Sequence, residues 1–120
     1  MIGALVLGGT LSLAHGAWIP AKARLAQVLL DHAWHETLRS GGSAKPWPWA
    51  DTWPVARLSA PTHKKSMVVL AGANGAALAF GPGHLTTSAP PGVSDNSVIA
   101  GHRDTHFAFL KAVKLGDVLQ

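Results

Sequence analysis

The spacing of hydrophobic positions changes character twice along this chain. Residues 1–21 carry no charged side chain and are almost wholly apolar through Leu13. About 20 apolar residues cross a bilayer, so the stretch predicts a membrane anchor over 1–21. A cleaved signal peptide and a buried helix are the competing readings, because Thr10, Ser12, His15 and several glycines interrupt the run. From Lys22 onward Ala26, Leu29, Leu30, Ala33, Trp34 and Leu38 recur at helical spacing. That predicts an amphipathic helix over 22–42, stopped by Gly41 and Gly42.

The next segment has neither period. In Lys45-Pro-Trp-Pro-Trp-Ala-Asp-Thr-Trp-Pro54, prolines and tryptophans alternate. Proline interrupts both helix and central strand, so residues 43–60 read as an extended linker whose indoles must pack on something. A domain surface, a membrane interface and a stacked ligand are all open as that something.

Beyond residue 60 short apolar runs alternate with turn residues. Met67 to Leu70 predicts a strand, Asn74-Gly75 a hairpin turn, and Ala77 to Phe80 the returning strand before Gly81-Pro-Gly83. Residues 88–96 read as a loop, Ser97 to Ala100 as a third short strand, His106 to Val113 as one or two helical turns, and Val118 onward as a last strand. A barrel or sandwich is the architecture this suggests, and a sheet ending at Gln120 leaves edges open. Residues 61–120 are therefore expected to be the first half of a β domain.

Composition narrows the function classes. The chain is 48% hydrophobic and only 13% charged, which excludes a disordered chain. The net charge of +4 comes from scattered basic residues, with only Lys64 and Lys65 adjacent, so no nucleic-acid partner is expected. There is no cysteine, which removes disulfides, Cys-ligated zinc and thiol chemistry from these 120 residues.

The densest polar cluster is Gly101-His-Arg-Asp-Thr-His106, directly after the Val98-Ile-Ala100 strand. A histidine at a strand end has a fixed backbone and a free imidazole, and imidazole exchanges protons near neutrality. His84, in Gly81-Pro-Gly-His84, is a second candidate. Spacing alone leaves three readings of the cluster open. The side chains could satisfy one another at a strand end. His102, Asp104 and His106, with His84, could bind a metal in a hydrolase. His102 could be a catalytic histidine with its nucleophile elsewhere; Ser88, Ser94 and Ser97 are available, but none sits in a Gly-x-Ser-x-Gly elbow.

The stretch Leu78-Ala-Phe-Gly-Pro-Gly-His-Leu-Thr-Thr-Ser-Ala-Pro-Pro-Gly92, with Asn96-Ser-Val-Ile-Ala-Gly-His-Arg-Asp-Thr-His-Phe107, closely resembles the sortases. The Pro-Trp block and Phe107-Ala-Phe-Leu-Lys-Ala-Val-Lys-Leu-Gly-Asp117 resemble the Gram-negative type, class GN. The resemblance implies a mostly β fold with an N-terminal helix: an incomplete sortase-type β-barrel preceded by a membrane-anchor and amphipathic helix. It implies a cysteine transpeptidase that cleaves a C-terminal Leu-Pro-x-Thr-Gly-like sorting motif and passes the acyl group to an amine, without a cofactor. His102 matches the family histidine that protonates the leaving amine and deprotonates the incoming one. His84, Asp104, Thr105 and His106 are implied to shape the site.

The family's cysteine, at a Thr-x-x-Thr-Cys strand end, and its later arginine have no counterpart here. Arg103 is not that arginine, since strand alternation is expected to send its side chain away from His102. The chain thus resembles the N-terminal part of a sortase truncated before its catalytic Cys and Arg, expected to be inactive alone. A membrane-tethered fragment that binds peptide or a partner without cleaving it is the alternative. The family implies a single pass through the inner membrane with the barrel in the periplasm, whereas Lys22 and Arg24 taken alone favour the cytoplasm.

Overall fold

The structure, a computed structural model, describes residues 2–120, without the side chains at 11, 13–15 and 17–20. One helix, α1 (Ile2–Ser40), runs through the segments expected over 1–21 and 22–42, the second continuing from the first. Among the described residues no helix is long and apolar enough to cross a membrane. The side chains at 11, 13–15 and 17–20, which the expected anchor needs, lie outside the described ones.

α1 ends where the glycines predicted. Gly41 takes φ +72°, a left-handed conformation that costs glycine little, and its N–H caps the Thr37 carbonyl at 3.0 Å. The Thr37 hydroxyl then accepts from Ala44 N–H at 3.1 Å, turning the chain back toward the sheet.

The sheet has four strands in the order β1-β2-β3-β4: β1 (Pro54–Ala60), β2 (Lys65–Ala71), β3 (Gly83–His84) and β4 (Ile99–Ala100). It is open and does not close into a barrel. β1 lies within the stretch expected to be linker, since only the residues up to Trp53 precede it. β1 and β2 are antiparallel, joined by a 3₁₀ turn (Pro61–His63) and a left-handed Lys64. β2 is the middle of the assembly. Val68, Val69, Leu70 and Ala71 are all buried, as a strand covered on both faces requires.

The Asn74-Gly75 expectation fails for a topological reason. β2 and β3 are parallel, pairing Leu70 with Gly83 and Ala71 with His84, and a two-residue hairpin joins only antiparallel strands. The connection is instead a crossover containing a one-turn helix, α2 (Gly75–Leu78), so Ala77 to Phe80 is not a strand. Asn74 is its N-cap, the side-chain oxygen accepting from Ala77 N–H at 2.9 Å.

Ala26, Leu30 and Ala33 form the buried stripe of α1. Leu30 joins Val68, Leu70 and Ala77 in the core, with Trp34 and Phe80 packed against them. Leu38, expected on the same stripe, is 61% exposed because the sheet does not extend that far. Two polar links complete the seam: Arg57 on β1 pairs with Asp31, and Gln27 Nε2 donates to the Phe80 carbonyl at 2.8 Å. Within the Pro-Trp segment, Trp47 packs edge-on against Phe80 at 5.0 Å, and Thr52 donates to the Ala71 carbonyl at 2.7 Å. Trp49 stays 83% exposed. Trp47 and Trp49 nonetheless line one cavity with Leu25 and Leu29 of α1 and Phe80.

The last strand expected from Val118 is represented by one residue pair. Ser59 and Gln120 exchange both backbone hydrogen bonds, at 2.7 and 2.9 Å, along the free edge of β1. Just before it, Asp117 Oδ2 accepts from His63 Nε2 at 2.8 Å and from Lys114 N–H at 2.9 Å. These donors, the backbone N–H first, hold the Asp117 carboxyl below its ordinary value. A carboxyl depressed on folding stabilises the native state above its unfolded value, and that contribution disappears as pH falls through the lower native value. Acidification below about pH 4 is therefore expected to release the Ser59–Gln120 pair before β2 opens. Hydrogen exchange at Gln120 and Leu70 as a function of pH checks the order; simultaneous release of both would contradict it.

Candidate functional site

Two short strands position the candidate residues. β3 and β4 pair antiparallel, Gly83 opposite Ala100 and His84 opposite Ile99. His84 is itself on a strand and buried, whereas His102 lies two residues beyond β4, exposed, at the start of a turn. Strand alternation therefore does not govern Arg103. Its side chain is exposed and lies 3.4 Å from Asp104, both in open solvent, where such a pair contributes little.

The His84 ring is pinned. Its Nε2 lies 2.8 Å from the Ala89 carbonyl and 3.2 Å from Ser88 Oγ. A carbonyl only accepts, so Nε2 carries the hydrogen. Ser88 Oγ also donates to the Leu85 carbonyl at 2.7 Å and accepts from Val98 N–H at 2.9 Å. One hydroxyl therefore joins β3, the 85–89 turn and the approach to β4. Ser88 thus has a bridging role that its sequence context, outside any Gly-x-Ser-x-Gly elbow, does not announce. The usable signal was a serine in a Pro/Gly loop, where hydroxyls commonly bond nearby backbone. Ser88→Ala is expected to cost about 0.5–1.5 kcal/mol by removing the acceptor for Val98 N–H and loosening His84. Denaturant unfolding measures it, and a cost near zero would deny Ser88 this role.

The His102 imidazole makes no hydrogen bond among the described residues, so its direction is set through its backbone. Its carbonyl accepts from Phe107 N–H at 3.0 Å and Thr105 N–H at 3.3 Å, closing the 102–107 turn. The Phe107 ring lies over Gly101 so closely that a Cβ at 101 would stand 2.9 Å from two ring carbons. Gly101 is thus required by close approach, a signal hidden in sequence because Phe107 is six residues away.

His106 is half-buried, and its pKa is lowered by burial first and by the neighbouring His102 second. Both causes favour the neutral form of the His106 ring. His106 faces a cavity of about 660 Å³ whose opposite wall is α1, through Arg24, Gln27 and Val28. A smaller cavity of about 380 Å³ is lined by Gly101, Arg103, Asp104, Phe107, Leu110 and Lys111, and His102 is not part of its wall.

The structure therefore gathers His102, Arg103, Asp104, Thr105 and His106 in one exposed turn, with His84 anchored separately in the sheet. Among the described residues no group of three or more His, Cys, Asp or Glu side chains is placed to hold a metal ion, so the four-ligand site through His84, His102, Asp104 and His106 does not form. The physical reason is the Nε2 donor bond of His84, which turns that ring toward the Ala89 carbonyl. What the turn offers is one exposed imidazole with no side-chain hydrogen bond among the described residues, a group suited to proton transfer.

No curated protein matches the chain. A model of the sortase domain matches residues 58–120, just over half of it, and takes in β2, β3, β4 and the whole 102–107 turn. That match, covering more than half of the residues, establishes that the chain belongs to the sortase family.

Proposed function

We propose that these residues form the N-terminal portion of a class GN sortase, in which His102 is the proton-transfer group of a cysteine transpeptidase. Sortases are cysteine transpeptidases acting on proteins that carry sorting motifs. The observation that carries the assignment is the free His102 imidazole on a braced turn inside the matched region.

In the proposed reaction a thiolate attacks the peptide carbonyl after Thr in a Leu-Pro-x-Thr-Gly-like motif. The C–N bond breaks, and protonated His102 gives its proton to the departing amine nitrogen. An amine acceptor then attacks the thioester, His102 removes its proton, and the thiolate leaves. The thiol and the oxyanion-holding arginine are not among these 120 residues, which contain no cysteine. His84, Asp104, Thr105 and His106 shape the cleft. The family resemblance supports reading the protein as an inner-membrane protein with its β domain in the periplasm.

The 120 residues alone are accordingly expected to turn over no sorting-motif peptide. A transpeptidation assay with such a peptide and an amine tests it, with His102→Ala as background. Turnover above that background would overturn the assignment. The absence of a thiol also favours a second reading, a fragment that binds the sorting peptide without cleaving it; saturable peptide binding without turnover in the full open reading frame would support that instead.

A further inference from the structure

We propose that His63 and Asp117 form a remote positioning element for His102, transmitted through the rings of Phe109 and Phe107. The proposal rests on the reading of His102 as the proton-transfer group.

The starting point is that His102 has no side-chain hydrogen bond among the described residues. An imidazole meant to meet two different amines in turn must still be aimed, and a misplacement of about 1 Å can lower a rate about a hundredfold. Its aim must come through its backbone, which is gripped at Gly101 by the Phe107 ring and at the carbonyl by the Phe107 and Thr105 amides. Phe107 is thus the contact that fixes His102 from both sides.

Phe107 in turn packs edge-to-face on Phe109, ring centres 6.4 Å apart at 76°. Phe109 is buried, and its ring centre lies 5.8 Å from that of His63. His63 ends the 3₁₀ turn after β1 and is held by Asp117 at 2.8 Å, with both side chains only 15–16% exposed. Asp117 is itself fixed by Lys114 N–H. The series Asp117, His63, Phe109, Phe107, His102 is therefore continuous, and every contact in it is either a hydrogen bond or a ring-on-ring packing. It starts at the edge where Ser59 and Gln120 pair, so it couples the placement of whatever pairs along β1 to the aim of His102.

The test uses the whole chain and reads the His102 ring directly by ¹H–¹³C NMR, its resonance assigned by loss in His102→Gln. Asp117→Asn removes the charge at nearly constant size. His63→Gln keeps a donor for Asp117 and deletes the ring. Both are expected to shift the His102 Cε1–Hε1 resonance and to speed hydrogen exchange at Phe107 N–H roughly tenfold. Arg39→Ala, which breaks the exposed pair with Glu36, should change neither. If Asp117→Asn does not fold, Phe109→Leu supplies the same readout while keeping the core apolar. A purely local staple would alter the Ser59 and Gln120 amides and leave His102 and Phe107 at their wild-type values, and that result would overturn the proposal. Failure of the sortase reading would appear in the transpeptidation assay and leave these resonances as expected.

Discussion

Replacing His102 with alanine in the full open reading frame that contains these residues is expected to lower transpeptidation by about 10²–10⁴-fold, the range for loss of a general acid–base group. The loss should fall on kcat more than on KM, because an exposed imidazole with no hydrogen-bond partner among the described residues adds little to ground-state binding. His84→Ala should behave differently. His84 is buried and bonded to Ala89 and Ser88, so its removal is expected to lower stability first and activity only through the fold. Steady-state kinetics beside denaturant unfolding separates the two. Equal kinetic losses at matched stability would contradict the division of roles.

Gly83→Ala is expected to produce the largest structural effect of any single substitution described, a loss of about 4 kcal/mol or more. A Cβ at this position would stand 2.1 Å from the Gly72 carbonyl oxygen and 3.2 Å from Ala73 Cα. Both are backbone atoms, so no rotamer change relieves the clash. β3 must then move away from β2, breaking Leu70 N–H to Pro82 and Gly72 N–H to His84, and with them the pairing that carries β4. By comparison Gly42→Ala, whose Cβ meets only the Ser40 hydroxyl at 3.9 Å, should be nearly neutral. Thermal unfolding of the two variants checks the contrast, and similar melting temperatures would refute it.

Which features could be read from sequence follows from how local their causes are. Gly41 stopping α1, the β2 apolar run and the 3₁₀ turn at Ala108–Ala112 each depend on a few neighbouring residues, and each appears where the pattern put it. Asn74-Gly75 misled because a hairpin signal and a helix N-cap use the same residue, and only the parallel β2–β3 register, a nonlocal fact, decides between them. β1 was hidden by Pro54 at its start. Pro is tolerated in a first strand position, so the linker and strand merge in composition.

The candidate site divides the same way. The turn holding His102 through His106 was visible as a polar cluster after an apolar run. The bracing by Phe107, the hub at Ser88 and the His63–Asp117 pair were not. The last joins residues 54 positions apart, and no periodicity reports a contact at that separation. The proposed metal reading failed for a comparable reason, since the direction of the His84 ring depends on the Ala89 carbonyl.

The central claim is that His102 serves a sulfur supplied by residues outside these 120. Intact-mass spectrometry after incubation with a sorting-motif peptide, with no amine present, tests it most directly. The account predicts a thioester adduct on a cysteine of the full open reading frame, accumulating more slowly when His102 is alanine, and no adduct on the 120 residues alone. An acyl adduct on the 120-residue chain, or a full reading frame in which no thiol captures the peptide, would contradict it.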